Sequence, residues 1–102
     1  MTIDWTESAL ADLIDVKAYI GKDSEYYGEQ FIDWLISSVE SLSDFPKLGR
    51  TIPELEMDTF REIIFHNYKI MYRTKKDCVS IFAIVHCKRL INEKIRKSWE
   101  IA

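Results

Sequence analysis

Three side chains in this sequence could run acid–base chemistry together: Glu54, Arg61 and His86. Cleaving a phosphodiester needs a base, an acid for the leaving oxygen and a cation for the charge that builds up between them. Glu54, His86 and Arg61 fill those roles if the loop formed by residues 47–58 folds over one end of a sheet. No strict spacing links the three, so the constellation depends entirely on that loop. The stretch from residue 50 onward also supplies Arg50, Tyr72, Arg73 and Arg89. With Arg61, these can hold a phosphate or a partner's carboxylate without breaking any bond, because a guanidinium presents a fixed bidentate fork.

Each residue also has a plainer reading. Arg61 shares a strand face with Ile63 and Phe65 while Glu62 points the other way, and an ion pair with a loop acid would account for it. His86 ends an apolar strand, on the face of Ser80, Phe82 and Ile84 by simple alternation; a strand-end histidine often does no more than hydrogen-bond the backbone. Tyr68 and Tyr72 share a face, which suits packing with wet hydroxyls as well as it suits stacking on a base. His66 reads as a turn residue. Cys78 and Cys87 lie nine residues apart on or near one strand, roughly 30 Å, far beyond disulfide reach. They read as reduced thiols. No metal site or cofactor is expected.

The elements that must position these groups follow from periodicity. Residues 2–5 are β-prone, and Thr6 can cap a helix from Glu7 to Ile20 whose apolar side holds Leu10, Leu13, Val16, Ala18 and Ile20. Gly21-Lys22-Asp23-Ser24 breaks it. A second helix runs from Glu25 to about Leu42, its stripe formed by Tyr27, Phe31, Leu35, Ser38 and Leu42, widened by Trp34 and Val39. Pro46 ends it. Residues 47–58 read as an ordered loop. Strands are expected at Phe60–Phe65, Tyr68–Arg73 and Cys78–His86, with a tight turn at His66-Asn67 in which Asn67 takes the left-handed conformation. The tail from Leu90 to Ile101 has a helical pattern with Ile91, Ile95 and Trp99 on one side. The expected order is β-α-α-β-β-β-α in an α+β fold: one domain over residues 1–102, a helical hairpin packed on a small antiparallel sheet, with a C-terminal helix.

Bulk composition narrows the function classes. At 47% hydrophobic and 30% charged residues, the 102-residue chain suits a small globular domain rather than a disordered segment. The N-terminus lacks a signal-peptide pattern and no apolar run reaches the ~20 residues of a membrane helix, so a cytoplasmic protein is expected. The net charge is −3, but acids dominate residues 1–50 and bases dominate residues 51–102. That modest polarity is not the strong basic field of a dedicated nucleic-acid binder.

Taken in order, several of these pieces resemble the RelE/ParE superfamily of toxins from type II toxin–antitoxin, or plasmid stabilisation, systems. They are Trp5, Ala9-Leu10-Ala11-Asp12-Leu13, Pro46-x-x-Gly49-Arg50, Pro53-Glu54-Leu55, Arg61-Glu62, Tyr68-Lys69-Ile70-Met71-Tyr72-Arg73 and Val85-His86-x-x-Arg89. The resemblance implies a helical hairpin on a small sheet, and a growth inhibitor neutralised by a cognate antitoxin whose extended segment wraps it. It implies no cofactor and no membrane partner, and a homodimer or a toxin–antitoxin hetero-oligomer as the assembly. It also implies one of two targets. ParE-like members bind DNA gyrase without cleaving RNA; RelE-like members cut mRNA on the ribosome. The pattern is closer to the ParE-like branch. Glu54, Glu56, Asp58 and Glu62 crowd the loop and first meander strand, and such carboxylates repel an RNA backbone. The alternative is a ribosome-dependent mRNA endonuclease using Glu54, Arg61 and His86. Tyr26, Trp34 and Trp99 are the expected antitoxin anchors.

Overall fold

The computed structural model describes residues 1–53, 55 and 57–88. Strand β1 (Thr2–Trp5) leads into helix α1 (Glu7–Ile20) and helix α2 (Glu25–Glu40), which tightens into a 3₁₀ turn at Ser41–Ser43. Strands β2 (Arg50–Thr51), β3 (Phe60–Phe65), β4 (Tyr68–Thr74) and β5 (Cys78–His86) follow. The expected C-terminal helix, with Trp99, lies outside the described residues, as do Glu54 and Arg89.

Local chemistry explains the helix boundaries. The Thr6 hydroxyl accepts the Ala9 N–H and the Ser24 hydroxyl accepts the Tyr27 N–H, so each helix begins on a side-chain cap. The hairpin closes because two glycines meet: a Cβ on Gly28 would lie 2.9 Å from the Gly21 Cα. No larger residue allows that approach. The buried faces differ from the expected stripes. On α1 the inward row is Ala9, Leu13, Val16 and Ile20, leaving Leu10 and Ile14 exposed. On α2 it is Gly28, Phe31, Ile32, Leu35 and Val39, leaving Tyr27 and Trp34 partly in solvent. Leu13, Val16 and Ile20 on α1 and Phe31, Leu35 and Val39 on α2 lie inward as expected, whereas Leu10, Tyr27 and Trp34 do not, and Ala9, Gly28 and Ile32 take inward positions beside them.

The sheet order is β1-β5-β4-β3-β2. The meander β3-β4-β5 is antiparallel as expected, but β1 runs parallel to β5, pairing Thr2 through Trp5 with Cys78 through Ile81. The sheet is therefore mixed rather than antiparallel. Inside the expected loop, β2 adds a two-residue strand against Glu62 and Arg61. The tight turn is present between Phe65 and Tyr68, but the left-handed residue is His66, with φ 54°, not Asn67. Histidine is among the non-glycine residues that tolerate this conformation.

Both faces of the sheet carry apolar clusters. On the helix side, Tyr68, Ile70, Tyr72, Val79, Ile81 and Ile84 pack with the hairpin. On the other side, Ile52 and Leu55 from the loop meet Phe60, Met71, Phe82, Ala83 and Val85. The β4–β5 register shifts between Met71 and Tyr72, which face Ala83 and Ile81 and leave Phe82 as the extra residue of a bulge. The bulge reverses the alternation of β5. Before it, the odd residues Val79 and Ile81 face the helices; after it, Ile84 and His86 do. His86 therefore does not share a face with Ser80 and Phe82, as simple alternation implies.

Candidate functional site

The loop before β3 is held by two side chains from the sheet beneath it. Tyr72 is fully buried. Its hydroxyl accepts the Gly49 N–H at 2.9 Å and donates to the Pro46 carbonyl at 2.8 Å. Burial raises the phenol's pKa above its ordinary value, opposed by the Gly49 hydrogen bond and by the nearby Arg61 charge. Gly49 is required here, since a Cβ would lie 2.5 Å from the Glu62 carbonyl and 2.7 Å from the Tyr72 hydroxyl.

Arg61 is the second clip. One of its terminal nitrogens donates to the carbonyls of Gly49 at 2.8 Å and Lys47 at 3.4 Å, and the other donates to the Asp58 carboxylate at 2.6 Å. Its side chain is largely covered, while that of Asp58 is exposed. The ion pair with a loop acid anticipated as its plainer reading is present, and the guanidinium also caps two loop carbonyls. As placed, Arg61 and Tyr72 shape the loop from within, and Tyr72 presents nothing to the surface.

The proposed acid–base constellation does not assemble. Arg61 pairs with Tyr72, which faces Ile81; Phe65 pairs with Tyr68, which faces His86. Arg61 and His86 are therefore separated by four residues along the strands, about 13 Å, and by two strand spacings, about 10 Å. General acid–base partners must come within hydrogen-bond reach of one reacting group. With His86 at the far end of the sheet, folding the loop over Arg61 cannot bring it there.

His86 instead lines a cavity of about 280 Å³ between α1 and the end of the sheet, with Asp15, Tyr19 and Tyr68. Its ring meets Tyr68 edge-on, with centroids 5.5 Å apart, and its Nδ1 accepts the Lys88 N–H. Burial raises the Tyr68 phenol's pKa, and the Tyr19 phenol beside it raises it further. Asp12 forms part of the wall of this cavity, and its Oδ2 accepts the Ile84 N–H at 3.0 Å. That N–H needs a side-chain partner because β1 ends its pairing at Ile81.

The outer face of the sheet is the more cationic surface. Glu62 is buried there, with Arg50 at 3.6 Å and Lys69 at 3.8 Å from its two oxygens. Oε2 has no hydrogen bond among the described residues. Arg73 lies over the Phe60 ring, 5.1 Å from its centroid. Arg50 is well exposed. Among the residues expected to bind a target, Arg50 and Arg73 thus reach this surface, whereas Arg61 and Tyr72 are committed inward. Sequence reasoning missed Glu62. The available signal was a lone acid between two cations on neighbouring strands, Arg50 and Lys69, visible only once the register is known.

The helical hairpin carries six of the large apolar side chains left exposed: Leu10, Ile14, Tyr19, Tyr26, Tyr27 and Trp34. Tyr26 and Trp34, expected as partner anchors, are among them. Three of the six stand on α1 and three on α2. No helix among the described residues is long and apolar enough to cross a membrane.

Comparison with known proteins agrees with this arrangement. The family described as the ParE toxin of the type II toxin–antitoxin system parDE matches residues 3–91. A curated relative, Toxin RelE2 of Caulobacter vibrioides, is 34% identical over 87 residues, covering 84% of this chain and 94% of its own length. A solved structure of the chromosomal ParDE system from P. aeruginosa superposes with a TM-score of 0.73 at 19% identity, over 86% of this chain and 97% of that one. That likeness bears on the fold alone. With its fold, its loop clips and its exposed hairpin accounted for, the chain belongs to the ParE toxin family within the RelE/ParE superfamily, and is the toxin component of a type II toxin–antitoxin system.

Proposed function

We propose that this toxin arrests growth by binding DNA gyrase rather than by cutting RNA. The observation that carries the reading is the separation of Arg61 from His86 by most of the length of the sheet. A nuclease needs both near one phosphate, and Arg61 is in addition taken up by Gly49, Lys47 and Asp58. What remains outward is a binding surface: Arg50 and Arg73, with Lys69, on the outer face of the sheet. Arg89 is a further candidate for the same surface. Such cations recognise carboxylates or phosphates through charge-assisted hydrogen bonds without chemistry. A cognate antitoxin covers the hairpin, where Tyr26 and Trp34 supply amphipathic anchors, with Trp99 as a third candidate.

Purified toxin should inhibit supercoiling by gyrase at micromolar concentration, and Arg50→Glu together with Arg73→Glu should weaken that inhibition at least roughly tenfold, the scale of one lost charged contact. Uninhibited supercoiling would remove gyrase as the target. The relative named RelE2 favours a second reading, ribosome-dependent mRNA cleavage. Under the gyrase reading, mRNA stays intact in a translating extract with excess toxin, and His86→Ala arrests growth as the parent does. Codon-positioned cuts that vanish in His86→Ala and Arg61→Ala would establish the nuclease instead.

A further inference from the structure

We infer that the cavity between α1 and the end of the sheet receives an arginine side chain of the antitoxin. This rests on the toxin reading and gives its partner a specific chemistry. Four side chains converge there, Asp15, Tyr19, Tyr68 and His86. Asp15 is exposed at the rim, and its carboxylate has no hydrogen bond or ion pair among the described residues. Tyr68 is only 8% exposed, yet its hydroxyl has no hydrogen bond among the described residues, and the Tyr19 phenol from the same cavity lies close enough to perturb it. The His86 ring stands edge-on to Tyr68, and because its Nδ1 already accepts the Lys88 N–H, the ring offers its face rather than that lone pair.

A carboxylate beside three aromatic rings is a receptor for a planar cation. The guanidinium pairs with the acid through its fork, donates to phenolic oxygens and stacks on ring faces, whereas an ammonium satisfies fewer of these at once. The volume, about 280 Å³, is below the usual range of cavities for whole small ligands, about 300–1,000 Å³, and suits one inserted side chain. The occupant comes from the antitoxin because the rim of the cavity continues onto the uncovered apolar side of α1. Leu10 and Ile14 stand one turn apart on that helix, Asp15 and Tyr19 form the adjacent row, and Leu10, Ile14 and Tyr19 are all exposed. A partner held permanently in the resting complex buries such area, as long-lived interfaces do.

The test uses N-acetyl-argininamide as the probe and N-acetyl-citrullinamide as its uncharged isostere. The ring resonances of Tyr19, Tyr68 and His86 should shift saturably with argininamide, with a dissociation constant on the order of millimolar. Citrullinamide should bind at least about tenfold more weakly, and Asp15→Asn should weaken argininamide by a similar factor, as expected when one charged contact is lost. Equal binding of the two probes, or no saturable shift by concentrations on the order of 50 mM, overturns the pocket. In cells, Asp15→Lys should still arrest growth but escape neutralisation by co-expressed antitoxin; normal neutralisation overturns the assignment to the antitoxin. If Asp15→Lys fails to arrest growth, the affinity of Asp15→Asn for the antitoxin decides: a loss of about tenfold supports the assignment and an unchanged value overturns it. Failure of the parent protein to arrest growth would sink the toxin reading, while the argininamide titration would still judge the pocket.

Discussion

At the scale of single residues, Glu62 is the side chain whose position is hardest to justify by stability. It is buried on a strand, its two cations stand beyond ordinary hydrogen-bond length, and Oε2 is left without a hydrogen bond among the described residues. Removing a carboxylate from water costs several kcal/mol, and ion pairs of this length return only part of that. A well-packed apolar residue in its place is often neutral or stabilising. Glu62→Met should therefore unfold at the same denaturant concentration as the parent or higher, with a gain of up to about 2 kcal/mol. The same substitution releases Arg50 and Lys69 from a shared anchor, so inhibition of the target should weaken although the fold is intact. Denaturant titration alongside the supercoiling assay checks both halves. A loss of stability greater than about 2 kcal/mol would show that the acid is structural in its own right.

At the scale of elements, the loop of residues 47–58 is the part that sequence and structure describe most differently. Its order was legible, from Pro46, Gly49 and Pro53, but its cause was not. Two clips from neighbouring strands hold it, Tyr72 from β4 and Arg61 from β3, and no local pattern announces which strand residues reach back. The helices and the three long strands were legible because caps and runs are local signals: Thr6 and Ser24 sit where the helix starts lie. Three features were hidden for a common physical reason, that they depend on pairing. The parallel partner of β1 cannot be read from four residues, β2 is too short to have a period, and the bulge at Phe82 lies in a run so uniformly apolar that a reversal of faces leaves no trace. That bulge turns His86 toward α1, onto the face that Arg61 shares, so distance along the strands, and not the choice of face, keeps the two apart. The clip itself is testable. Arg61→Ala removes a charged hydrogen bond to Gly49 and an exposed ion pair to Asp58, a cost of about 2 kcal/mol dominated by the former. Limited proteolysis should then cut within residues 47–58 at least several-fold faster than in the parent, while the rest of the chain stays protected. Unchanged cleavage would mean that Tyr72 alone holds the loop.

At the scale of the whole molecule, charge and exposure divide the protein into two working sides. The acidic residues 1–50 build the hairpin, which carries most of the exposed aromatics among the described residues; strands β2 to β4, which lie in the basic half apart from Arg50 itself, present Arg50, Lys69 and Arg73. Between these sides lie two buried phenols, Tyr68 and Tyr72, whose pKa values are raised chiefly by burial. Their linkage to folding has a definite sign. In the unfolded chain a tyrosine ionises near pH 10; in the folded protein these two hold their protons to higher pH. The unfolded state thus sheds protons first, and stability falls as pH rises from about 10 through the raised folded values, being fully present below that window. Tyr72 adds a mechanical consequence, because ionisation ends its donation to the Pro46 carbonyl and loosens the loop as the core is weakened. Tyr72→Phe separates the contributions. At pH 8 it should be less stable than the parent by about 1–2 kcal/mol, since a hydroxyl with two partners is lost and the Gly49 N–H is left buried without an acceptor. Above pH 10 the parent should lose stability faster than Tyr72→Phe, so the gap closes as the parent's phenol ionises on unfolding while the phenylalanine cannot. Urea titrations of both proteins at several pH values between 8 and 11 measure that gap directly. A gap that stays constant across the range would show that Tyr72 ionises as readily folded as unfolded, and that the alkaline weakness of the fold lies elsewhere.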